Sequence, residues 1–319
     1  MELQTIWGWQ PALYLFLGGM GAGAFIMAAV LYLIDQERHA KIVCASMWAS
    51  AICLGVGLLL LLSELTQPVR GLMMWQSFSH FTSWMTYGAW GAFGAIAVFG
   101  LSAVLAVGEV GRRLSRNAKQ ARLLVRARKV LAVVGIALGL FVAVYTGMLL
   151  MMAPGVPLWN TPLLPCLFAV SGVDTGVALV EVVAVALAKK DQLASRASML
   201  MEAIVVALVT LECIVLGVLL LPLLGGEGSA TAATAAQSAQ LLATGSLAPL
   251  FWGLVVGCGL ALPLVVSLMG LLKHKGGANG LMALGAAGAL VGGCALRFLI
   301  LAAGIHADVV GETVMKMIG

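Results

Sequence analysis

Eight runs of predominantly apolar residues, each longer than twenty, divide this chain at 12–34, 42–64, 84–108, 129–152, 163–188, 199–221, 248–272 and 279–303. A helix of about 20 such residues covers the roughly 30 Å of hydrocarbon in a bilayer. Barrel strands would be about half as long and would alternate in polarity, whereas these runs are apolar on every face. The expected fold class is therefore an all-α integral membrane protein of eight transmembrane helices. Composition agrees: of 319 residues, 62% are hydrophobic and 10% charged, against roughly a quarter charged in a soluble domain. A soluble enzyme, a disordered chain, a secreted disulfide scaffold and a nucleic-acid binder are all excluded, because each needs polar or cationic surface that is not supplied here.

The basic residues give an orientation. Arg38 and Lys41 fall in the first loop, Arg112, Arg113, Arg116, Lys119, Arg122, Arg126, Arg128 and Lys129 in the third, Lys189, Lys190 and Arg196 in the fifth, and Lys273 and Lys275 in the seventh. By the positive-inside rule the odd loops face the cytoplasm. Both termini and the even loops then face outward, to the periplasm of a bacterium, and the location expected is the bacterial inner membrane. The net charge of +5 thus reads as topology and contact with membrane lipid. No basic segment precedes the first run, so it is expected to be retained rather than cleaved. Small residues four apart (Gly19 and Gly23, Gly135 and Gly139, Gly172 and Gly176, Gly253 and Gly257) suit close helix packing. A short echo between LFLGGMGAG in the first run and LFAVSGVDTG in the fifth hints at two four-helix halves, 1–152 and 153–319.

Redox chemistry within the chain finds little support. The six cysteines lie in apolar stretches with no C-x-x-C, which argues against a zinc or iron–sulfur site. The four histidines, His39, His80, His274 and His306, fall in loops or the tail, whereas a membrane haem takes axial histidines from inside its helices. No haem or metal is expected. Ionisable residues inside the bilayer are expensive and mark candidate sites. At 1.5 Å per residue, Glu202 lies about 5 Å from the cytoplasmic end of its run, Glu181 about 10 Å, Glu212 about 20 Å, Asp174 about 21 Å and Arg297 about 27 Å. These carboxylates could form a proton pathway, or pair with Arg297 merely to hold the bundle together. Aromatic and amide groups crowd the outer helix ends. Most suit an interfacial belt, but Tyr145 lies inside the fourth run, where a phenol needs a buried partner.

The run YTGMLL at Tyr145, followed by Pro157, Trp159-Asn160-Thr161-Pro162 and LLPCLFAVSG, resembles the NrfD family, the haem-free membrane subunits of polysulfide reductase and related respiratory complexes. WGWQPALYLFLGGMGAGAF, Glu64-Leu-Thr-Gln-Pro-Val-Arg70, SWMTYGAWG at 83–91 and LRFLILAAG at 296–304 resemble its other helices in order. The resemblance implies a quinone-reactive subunit, inactive alone, that exchanges electrons between menaquinone or ubiquinone and a ferredoxin-like iron–sulfur protein on the periplasmic face. That partner is in turn bound to a molybdopterin enzyme or a multihaem cytochrome. It also implies a quinone pocket near the outer face of the first four helices. There Tyr145, Glu64 and His80 would act on the head group, and Tyr14, Arg70, Trp159, Asn160 and Arg297 would help to bind it. Some relatives carry Asn and His in the first helix where this chain has Pro11 and Tyr14, which makes Tyr14 the candidate substitute. A secondary transporter or channel, and a purely structural anchor, are the competing functional classes.

Overall fold

The computed structural model describes residues 8–36, 38–64, 84–191, 193–225, 230–273 and 280–307. It is helical throughout, with no strand among the described residues. Eight helices are long and apolar enough to cross a membrane, as the apolar runs predict. In chain order, α1 is Trp9–Ile34, α2 Ala40–Glu64 and α3 Trp84–Ala106. A short α4, Gly108–Leu114, then leads into α5, Ala118–Met151. After α6, Leu163–Leu187, and α7, Ser195–Leu224, the sixth loop holds a non-spanning helix α8, Ala230–Ala243. The seventh span runs through α9, Ala248–Leu250, a π-helical stretch Phe251–Ala261 and α10, Leu262–Lys273; α11 is Gly280–Ala302.

Two features differ from expectation, one a helix limit and one a helix type. The fourth span begins eleven residues before its apolar run, because the basic segment stays helical beyond the hydrocarbon. Asn117 and Gln120 close a capping box there, satisfying backbone donors that the first turn would otherwise leave open. The π-helical stretch leaves no mark on hydropathy at all.

Helix α1 is the hub, packed against α2, α5, α6 and α11. Lipid offers no hydrophobic drive for helices to associate, so contact rests on close van der Waals fit between small residues. The α1 and α6 backbones cross at glycine: a Cβ on Gly19 or Gly172 would press on the other's backbone, and one on Gly23 or Gly176 would overlap it. Against α5, the ring of Phe25 lies over Gly135 and stacks on Phe99 of α3 at 4.0 Å. Gly139 meets Ala22 and Ile26. The pair Gly253 and Gly257 behaves differently from the other three. Gly253 has no neighbour within 4 Å of a built Cβ, and the tight approach on that span is instead Gly259 against Gly292 of α11. The π-helical stretch turns the faces of that segment away from the α-helical register on which the spacing argument relies.

Polar contacts tie the helices at mid-span and at their ends. Midway along both helices, the Ser50 hydroxyl of α2 donates to the Gly21 carbonyl of α1 at 2.7 Å. At the odd-loop end, the Asp191 carboxylate accepts from the Lys41 and Ile42 amides at 3.0 and 3.2 Å, which lets the α6–α7 loop cap α2.

The glycine pairs are separable by stability. Replacing Gly176 by Ala is expected to lower the thermal unfolding midpoint of the purified protein, followed by tryptophan fluorescence, because the new methyl meets the α1 backbone. Replacing Gly253 by Ala is expected to leave the midpoint unchanged or slightly higher, since glycine in a helix interior costs about 0.5–1 kcal/mol relative to alanine.

Candidate functional site

Three helix ends converge at the even-loop side. Glu64 is the last residue of α2, Trp84 the first of α3, and Met152 follows α5 directly. Tyr14 stands less than two turns into α1 from the same side. Between them lies a cavity of about 430 Å³ lined by Tyr14, Leu61, Glu64, Trp84, Tyr145, Met148, Leu149 and Met152. Its walls are mostly apolar, with two phenols and one carboxyl among them.

Local packing explains how Tyr145 comes to the wall. On α3, Gly88 leaves a gap that the Tyr145 ring fills, so that a Cβ there would overlap the phenol. One turn further along, Gly91 takes the Phe141 ring in the same way. The two rings stack with centroids 5.9 Å apart, an i, i+4 pair on one face of α5. Thus seated, the Tyr145 hydroxyl donates to the Trp84 carbonyl at 3.2 Å, which supplies the partner a phenol needs in a mostly apolar setting. Tyr14 is buried, whereas Glu64 and Trp84 are exposed at the mouth.

The structure thus brings together Tyr14, Glu64 and Tyr145 of the residues expected at a head group, and adds Trp84, one of the aromatic residues at the outer helix ends that suit an interfacial belt. His80 and Arg70 lie outside the described residues. Trp159 and Asn160 do not line the cavity. The Trp159 indole is buried, donates to the Ile300 carbonyl at 2.9 Å and packs on Gly304, joining the α5–α6 loop to the end of α11. The Asn160 amide donates to the Met151 carbonyl at 2.8 Å and so closes the end of α5. His306 is exposed, with its ring against Gly155. His39 is buried at the odd-loop end.

A second cavity of about 240 Å³ lies among α6, α7, α10 and α11. Asp174, Glu181 and Glu202 line it with Ser267, in an otherwise apolar wall. All three carboxylates are buried, and each has one oxygen without a hydrogen-bond partner among the described residues. Asp174, Ala178 and Glu181 share one face of α6. Glu202 lies against Gly270, where any side chain would displace its carboxylate. Glu212 is buried and does not line this cavity. It belongs with Arg297, whose guanidinium is fully buried in the protein core. The guanidinium donates to the Ser171 hydroxyl at 2.6 Å and to the Gly293 and Phe168 carbonyls at 2.9 and 3.1 Å, and sits 5.1 Å above the Phe168 ring. No described carboxylate comes within ion-pair distance of it. A hydroxyl and two backbone oxygens hold the arginine in place of the ion pair weighed from the sequence. Among the described residues no group of three His, Cys, Asp or Glu side chains is placed to hold a metal ion.

Similarity to known proteins agrees with this architecture. The protein is 33% identical over 313 residues to the C subunit of the polysulfide reductase of Wolinella succinogenes, covering 94% of each. It is 29% identical over 314 residues to protein NrfD of Escherichia coli K12, covering 94% of its own length and 95% of that relative. The family model described as polysulphide reductase, NrfD, matches residues 1–308, and the chain belongs to that family of multi-pass membrane proteins.

Proposed function

We propose that this chain is the membrane-anchoring, quinone-reactive subunit of a respiratory oxidoreductase complex, and that the head group of the quinone enters the cavity between Tyr14, Glu64 and Tyr145. The observation that carries this reading is the cavity itself. At about 430 Å³ it falls within the usual range for a small-molecule site, roughly 300–1,000 Å³, and it has the usual form of an apolar pocket with a few convergent polar groups. A flat conjugated dione with an isoprenoid tail suits such a lining. Menaquinone and ubiquinone both meet this description.

A quinone supplies two-electron, two-proton chemistry when bound. The Tyr145 hydroxyl, whose single proton lies on the Trp84 carbonyl at the wall, would turn that proton to a quinone carbonyl on binding. The Glu64 carboxyl, exposed at the helix end, can take up or release a proton there and exchange it with water outside the bilayer, as a positioned general acid or base does. Tyr14 sets the inner limit. The apolar side chains of Leu61, Met148 and Leu149 exclude water from the remaining wall. Electrons leave at the even-loop face to a ferredoxin-like iron–sulfur partner, itself joined to a molybdopterin or multihaem subunit. The distribution of Lys and Arg supports assigning that face to the periplasm of a bacterial inner membrane. On this reading residues 1–152 carry the quinone site, and 153–319 form a second bundle.

The carboxylate-lined cavity supports a further part of the proposal. Glu202, Glu181 and Asp174 line one recess, the first two nearer the odd-loop ends of their helices, and Glu212 with Arg297 would continue the polar series. Together they would carry protons between the cytoplasm and the site, making turnover electrogenic.

Two measurements test this reading. In the assembled complex, Glu64→Gln is expected to slow quinol-linked turnover about a hundredfold, the scale of a lost general acid or base. Tyr145→Phe should slow it about tenfold, the value of a hydrogen bond worth roughly 1.4 kcal/mol. Wild-type turnover of a menaquinol analogue in both variants would refute the assignment. In liposomes, charge movement during turnover should fall sharply with Glu181→Gln while quinol oxidation continues. A wild-type complex that moves no charge would remove the proton pathway.

A further inference from the structure

A third recess lies at the odd-loop end, away from both cavities. Tyr32 and Gln36 of the α1 end, Ala40, Val43 and Met47 of α2, Ser102 and Ala106 of α3, and Arg128 of α5 enclose a notch of about 40 Å³. That is room for two or three water-sized groups, since one water needs about 10–15 Å³ on the same measure.

The polar atoms facing it are incompletely satisfied. Arg128 is half-buried, and its Nη2 donates to the Leu105 carbonyl where α3 gives way to α4. Its buried Nε has no partner among the described residues, and neither has the Ser102 hydroxyl, although Ser102 is 6% exposed. The Tyr32 hydroxyl lies beside the same guanidinium. Two unfilled donors and a fixed positive charge around a space of two or three oxygens form a cradle for an oxyanion. Arginine suits the role, because its planar fork matches phosphate geometry.

The surroundings select the form of that oxyanion. Exposed Arg112, Arg113, Arg116, Lys119, Arg122 and Arg126 crowd the end of α4 and the start of α5 beside it. On α2, whose Ala40, Val43 and Met47 line the notch, a stripe of exposed apolar residues descends toward the bilayer centre: Trp48, Ile52, Val56 and Leu59. A phosphate in the notch would therefore stand at the head of an acyl-chain track and inside a basic field. A free phosphate ion would use neither the track nor the interfacial position.

We propose that this notch seats the phosphate of an anionic phospholipid from the leaflet facing the odd loops. Its non-bridging oxygens meet Arg128 Nε and the Ser102 hydroxyl, and its acyl tails lie along α2. The lipid thereby joins α1, α2, α3 and α5 at the end opposite Glu64 and Tyr145.

Native mass spectrometry of the purified full-length protein tests this. The wild type is expected to retain one dioleoylphosphatidylglycerol about tenfold better than dioleoylphosphatidylcholine, and to keep it in excess inorganic phosphate. Ser102→Leu, which fills the notch, and Arg128→Gln, which keeps a donor but removes the charge, should each abolish that preference. Arg122→Gln on the nearby exposed surface should preserve it. Equal retention of the two lipids by the wild type, an undiminished preference in Ser102→Leu or Arg128→Gln, or an equal loss in Arg122→Gln would overturn the site in favour of no binding or of diffuse attraction. Displacement of the lipid by inorganic phosphate would overturn the lipid as its occupant.

Discussion

Everything in this molecule hangs on how closely α1 can approach α6. In hydrocarbon, helices gain nothing by burying apolar surface from water, so their association depends on fit and on hydrogen bonds between them. Glycine at 19, 23, 172 and 176 removes the side chains from the crossing and lets the two backbones touch. That contact makes α1 a hub that meets α2, α5, α6 and α11. Arg297 is held just beside it, its guanidinium close to Gly19 and bonded to Ser171 and the Phe168 carbonyl of α6.

Around that hub the polar groups separate into distinct places. Tyr14, Glu64 and Tyr145 share a cavity at the even-loop end, whereas Asp174, Glu181 and Glu202 share another among α6, α7, α10 and α11. The two linings have no residue in common. A buried charge is costly in a membrane protein, and Asp174, Glu181 and Glu202 meet that cost side by side in one recess. Arg297, which lines neither cavity, is held by neutral oxygens, which keeps a positive charge at the core without an ion pair.

The spans were legible because a run long enough and apolar enough to cross a bilayer has few other uses. Helix ends were less so: the start of α5 is basic and hydropathy discards it, although the Asn117 and Gln120 capping pair was present to be read. Glycine spacing located three packing faces of four and failed at Gly253 and Gly257, because a π-helical stretch changes which residues share a face. Tyr145 stands out in sequence as a phenol inside the fourth run, but its grouping with Tyr14 and Glu64 was legible only through resemblance. Glu64, Tyr14 and Tyr145 stand far apart in sequence, and no periodicity brings them together. Trp84 was hidden among interfacial aromatics, while Trp159 and Asn160, equally conspicuous in sequence, serve to fasten a loop. The glycine at 88 was the missed signal, since a residue without a side chain facing α5 is what admits the Tyr145 ring.

The central claim is that the quinone head group occupies the cavity beneath Glu64. Photolabelling the assembled complex with an azidoquinone, followed by peptide mapping, tests it most directly. Label should fall on α1 near Tyr14, on the Leu61–Glu64 end of α2 and on α5 between Tyr145 and Met152, and should be competed away by unlabelled menaquinone. Specific, competed label on Asp174, Glu202, Pro263 or Met282, around the carboxylate cavity instead, would contradict the account.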